Sequence, residues 1–154
     1  MWFRYIGLPC MLYIIRPNYA YISRYMNSQQ DYFRYRSIHR KQFKINKNYI
    51  DCVEDHHIIP KQWHNHDIFE TIDFDVNSNQ NLCIMPNNNA KHRFNLHPHT
   101  LIHQGGHKKY NKYVKTQLDY IHGLNKDSQK YEFWLLLNHL KSNMKINEDN
   151  IPWK

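Results

Sequence analysis

Cysteine is scarce in this chain of 154 residues, and its placement excludes one class of protein. Only Cys10, Cys52 and Cys83 occur, with no C-x2-C pair among them. An odd count at those spacings argues against a secreted disulfide framework. Free thiols in a reducing intracellular compartment, cytoplasmic or nuclear, are the expectation. Long apolar runs are missing as well. The stretch from Ile6 to Ile15 is too short to span a bilayer and is broken by Gly7 and Pro9. It is also poor as a secretion signal, because Arg4 is the only basic residue ahead of it and no clean small-residue cleavage site follows. Neither a membrane partner nor secretion is expected.

Acidic residues are nearly absent from the first 50 positions. Asp31 stands alone there against nine lysines and arginines, a local charge of +8. Residues 51–154 hold twelve of each sign and are neutral. This asymmetry predicts a basic arm, residues 1–50, attached to a neutral domain, with a polyanion as partner. Residues 16–50 interleave Tyr and Phe with Arg and Lys, a texture that neutralises phosphates and stacks on bases. The other reading of that segment is a short helix or hairpin whose aromatics are core.

Histidine is what the chain has in excess. Nine of its twelve histidines lie between His56 and His107. "YIDCVEDH" alternates loosely and predicts a strand, and "NLCIMP", ended by Pro86, predicts a second. "PKQWHNHDIFETI" starts with a helical turn, "DFDVNSNQ" is turn-rich, and "NNNAKHRFNLHPHT" reads as a polar loop. Tyr110, Val114, Leu118 and Ile121 recur at helical spacing, with Gly123 as the stop. A last helix is expected in "SQKYEFWLLLNHLKSNM", capped by Ser128 or Asp127. Its Tyr131, Trp134, Leu135, Leu137 and Leu140 are the expected core.

"EDHHIIP" places His56 and His57 side by side at the end of the first strand, so they face opposite ways. His103 and His107 are four apart, which on a helix puts both imidazoles on one face, able to grip one cation. Gly105 and Gly106 between them would weaken that helix by about 1 kcal/mol each, so a close approach of backbone or phosphate is the expected reason for them. A third ligand from the strand completes such a site. The other histidine of the pair is then free as a base, its unperturbed pKa being about 6.5.

The ordered pattern "DHHIIP", "NL" in a second strand and "LIHQGGHKKYNKYV" resembles the ββα-metal finger of the HNH and endonuclease VII superfamily, nearest its AHH-type branch. The resemblance covers about residues 51–121. It implies a small ββα-metal core (residues 51–125); with the last helix (residues 126–154) packed on that core and the basic aromatic-rich arm ahead of it, the expected fold class is α+β. It implies a metal-dependent endonuclease acting on nucleic acid, double-stranded DNA ahead of RNA, with one divalent ion such as Mg, Zn, Mn or Ni. Products would carry 5′-phosphate and 3′-hydroxyl ends.

By the same resemblance His56, His103 and His107 hold the metal, and His57, three residues before Pro60, is the general base. Asn81 braces the loop and orients His57. Tyr110 packs or touches phosphate. Lys91, Arg93, Lys108 and Lys109 are candidate phosphate contacts. The chain departs from the branch in two places. Asp55 stands where the branch has alanine, and is a candidate for orienting a histidine or for ligation. The loop before His103 is long and carries His92, His97 and His99, any of which could replace a named ligand. Two alternatives stay open. One is a nucleic-acid-binding module with a structural metal, to which Cys52 and Cys83 could contribute thiolates, although both read more simply as small buried residues. The other is a toxin-like nuclease held inactive by an inhibitor protein.

Overall fold

Residues 33–153 are described by the computed structural model of the chain. The segment 1–32, with Cys10, Asp31 and most of the basic arm, lies outside the described residues. Strands β1 (Val53–His57) and β2 (Leu82–Pro86) pair antiparallel, with His57 opposite Leu82, His56 opposite Cys83 and Val53 opposite Pro86. Helix α1 (Ile38–Asn46) precedes them. The short helix α2 (Ile68–Ile72) lies in the connection between them. Helices α3 (Lys108–His122) and α4 (Lys126–Lys145) follow. The architecture is α+β, with a two-stranded sheet followed by a helix at its centre.

Each element follows from local chemistry. In α1 the Ser37 hydroxyl accepts the Arg40 N–H at 3.3 Å, capping a helix cut from the basic arm. In α3 the periodic residues Tyr110, Val114, Leu118 and Ile121 are all buried, and Gly123 closes the helix. They pack with Ile58 and Ile59, with Ile68, Phe69 and Ile72 of α2, and with α4 in one apolar cluster. No helix among the described residues is long and apolar enough to cross a membrane.

Two details differ from the expectation. The cap of α4 is Asn125, whose side chain accepts the Ser128 N–H, so the helix starts ahead of Asp127 and Ser128. Its buried face is Phe133, Leu136, Leu137, Leu140 and Met144, while Tyr131 and Leu135 are 64% and 46% exposed. The run "FWLLL" is apolar all round, so its periodicity does not choose a face. Contact with Phe69 and Phe74, whose rings lie 5.9 and 4.6 Å from that of Phe133, does.

Candidate active site

The pleat of β1 answers the question raised by the adjacent histidines. Glu54 and His56 share one face, and Asp55 and His57 the other. On the first face His56 meets two histidines from the segment between β2 and α3. Ring centroids are 5.2 Å apart for His56 and His103, 5.5 Å for His56 and His107, and 5.2 Å for His103 and His107. One nitrogen from each lies within 4.8 Å of the others, the sole such grouping among the described residues.

His103 and His107 do not sit on a helix, contrary to the expectation. Helix α3 begins at Lys108, with His107 at its cap position. The His103 N–H bonds to the Pro86 carbonyl at 2.8 Å, extending the line of β2, and Gly105 takes a left-handed φ of 68°. That backbone breaks the helical path, and glycine adopts it without strain. The imidazoles therefore converge through a loop docked on the sheet.

The cluster could hold a metal ion. His56 is 7% exposed, and its Nε2 has no hydrogen-bond partner among the described residues. An orphaned buried nitrogen costs about 1–3 kcal/mol, and a cation removes that cost. Burial first, then the charges of His103, His107 and His57, push the pKa of His56 down to about 3, so it is held in the neutral, ligating form. Glu54 Oε2 lies 2.8 Å from His103 Nδ1, which fixes the ring and leaves Nε2 for a ligand. Trp153 forms a wall of the site. Its ring lies 3.9 Å from that of His107 at 31°, and its Nε1 donates to the Ile102 carbonyl at 3.1 Å.

His57 has separate surroundings. Its Nε2 lies 3.2 Å from Asn77 Oδ1, which places the proton on Nε2 and leaves Nδ1 as the basic nitrogen. The Tyr35 ring meets it edge-on, centroids 4.4 Å apart. Burial lowers the His57 pKa, the Asn77 bond opposes this, and the Lys61 charge adds to the lowering.

Asn81 braces the segment that follows. It is fully buried. Its Oδ1 accepts the Ile59 N–H at 2.7 Å, and its Nδ2 donates to the Ile59 and Val76 carbonyls at 2.9 and 2.8 Å. All of these partners are main chain, so the amide against the His57 ring is that of Asn77. Tyr110 is likewise fully buried, its hydroxyl donating to the Ile58 carbonyl. It therefore packs, and it cannot reach a phosphate.

Asp55 faces away from the three-histidine cluster. Arg40 Nε and Nη2 reach its Oδ1 at 3.0 and 2.9 Å, and Lys44 reaches Oδ2 at 2.9 Å. Burial pushes its carboxyl upward, but the hydrogen bonds from Arg40 and Lys44 prevail and hold the pKa below its ordinary value. His92, His97 and His99 are exposed and outside the cluster, as are Lys91, Arg93, Lys108 and Lys109. Cys52 is buried, and burial raises the Cys83 thiol to about 12, which disfavours a thiolate there.

Glu54, Asn77, Tyr35 and Trp153 were not singled out from sequence. Glu54 alone carried a local signal, since it lies two residues before His56 on the same strand face.

A family model described as AHH, a nuclease family of the HNH/ENDO VII superfamily with conserved AHH, matches residues 37–140. This chain has Asp55 at the first of those three positions. No curated protein and no solved structure matches the chain significantly.

Proposed function

The chain belongs to the AHH nuclease family of the HNH/endonuclease VII superfamily, and from that premise we propose that it is a metal-dependent endonuclease with His57 as its general base. One observation carries this reading. Three imidazoles meet on one face of β1, and a fourth, His57, outside the grouping, follows His56 in the strand and so points to the other face. His56, His103 and His107 would hold a divalent ion, one of Mg, Mn, Ni or Zn. Such an ion, when bound, stabilises negative charge on a phosphodiester.

The chain's own groups supply the rest. His57 Nδ1 takes a proton from a water, which attacks phosphorus in line with the 3′ oxygen; the P–O3′ bond breaks and that oxygen takes up a proton from solvent. The imidazolium that results keeps its Nε2–H on Asn77 Oδ1, so no reorientation accompanies the transfer. Asn81 and Tyr110 hold residues 58 and 59, which fixes the end of the strand that carries His57. DNA is the first substrate to test.

Purified full-length protein is expected to nick and linearise plasmid DNA, to stop in EDTA, and to recover with one added divalent ion. Cleavage that persists in EDTA, or a metal-loaded protein that leaves DNA and RNA intact, would overturn the proposal. Retained nucleic-acid binding without cleavage would point to the structural-metal module instead.

Trp153 offers a second check, because it lies beyond the matched segment. Trp153→Ala is expected to weaken metal binding about 10-fold or more, as loss of groups that orient a ligand does. Chelator competition measures this. An unchanged affinity in a folded variant would make Trp153 mere core.

A further inference from the structure

The N-terminal segment brings two cations to His57. Tyr35 is the hub. Its N–H bonds to the Asn77 carbonyl at 3.1 Å, and its ring touches His57. The Arg36 guanidinium lies 5.3 Å from the centre of that ring and the Lys61 ammonium 5.7 Å from it. Two like charges thus converge on one ring that abuts the candidate base. Neither has an ion-pair partner among the described residues. Asp55 is engaged by Arg40 and Lys44, and Asp75 by Arg34 at 2.9 Å.

Arg36 carries a second sign. The Ser37 N–H bonds to the Arg34 carbonyl at 3.0 Å, closing a turn in which Arg36 takes a φ of 63°. That position favours glycine, so the turn gains nothing from an arginine. What the side chain adds is charge beside Tyr35.

We propose that Arg36 and Lys61 form a clamp for a backbone phosphate of the nucleic acid, at or next to the scissile one, with Tyr35 as its floor. The inference rests on the nuclease reading. A base that activates water for attack on phosphorus must stand within one water of the phosphate. Two cations on the ring beside that base, without an ion-pair partner among the described residues, suit a phosphodiester oxygen. The contact is to the backbone, so it serves every sequence alike. Tyr35 and Arg36 precede the family match, which starts at residue 37.

Binding of the full-length protein to a fluorescent DNA duplex, followed by anisotropy in EDTA across a salt series, tests this. Arg36→Gly and Lys61→Gln are each expected to reduce the slope of log K against log salt by about 1 and to weaken binding uniformly across sequences. Arg36→Gly should keep or raise the thermal midpoint, since glycine suits the turn. That separates lost binding from lost fold. Lys130→Gln, on the exposed face of α4, should leave the slope unaltered. If wild type binds and both variants keep its affinity and slope, the clamp is wrong. A wild-type protein that binds neither DNA nor RNA overturns the nuclease reading, and the clamp with it.

Discussion

His57→Ala is expected to lower cleavage at least about 100-fold, the contribution of one well-placed base, and to leave metal content and nucleic-acid binding close to wild type. The reason lies in the strand. His57 points to the face of Asp55, Tyr35 and Asn77, whereas the three-histidine cluster forms on the other face. Removing the His57 ring takes no nitrogen from the cluster. It also takes no core residue, since His57 is only half-buried. Single-turnover cleavage of metal-loaded variant and wild type measures the effect. A variant that cuts at the wild-type rate would remove His57 from the chemistry.

The second large effect is on the metal. His103→Ala takes one of three nitrogens from the cluster and frees Glu54 from its contact at 2.8 Å. Two imidazoles and water make a much weaker site, so bound metal is expected to fall from about one equivalent to near none after dialysis. Glu54→Gln, which keeps all three nitrogens, should cost less, about 10–100-fold in affinity. The grading matters. If both variants retain a full equivalent of tightly bound metal, the ion is held elsewhere. Duplex binding in EDTA should survive both changes, because the proposed phosphate clamp lies on the His57 side.

Much of the fold was legible because its signals are local. The alternation of residues 53–57, the prolines at 60 and 86, and the spacing of Tyr110, Val114, Leu118 and Ile121 all report on neighbours in sequence. His103 and His107 could likewise be paired from their spacing, whereas the choice of His56 over His57 came from the resemblance to the ββα-metal finger. Their route to one another could not. A four-residue interval reads as helix, but the bond from His103 to Pro86 and the left-handed Gly105 make it a loop. The same distance in sequence serves either backbone.

The partners of the site were the hidden part. Trp153 reaches His107, Tyr35 reaches His57, and Arg40 reaches Asp55, each across a separation that leaves no local period. Asp55, which departs from the alanine of the family description, becomes intelligible only with α1 in place. Its carboxylate ties that helix to β1 through Arg40 and Lys44. The orientation of α4 was hidden for a different reason, since an all-apolar run offers no face to choose.

X-ray absorption at the metal edge, on wild-type protein carrying one equivalent of zinc, bears most directly on the whole account. Imidazoles from the strand and from the loop before α3 predict three nitrogen neighbours at about 2.0–2.1 Å, with the outer-shell scattering of histidine rings. Sulfur at about 2.3 Å, or a shell with fewer than three imidazoles, would contradict it.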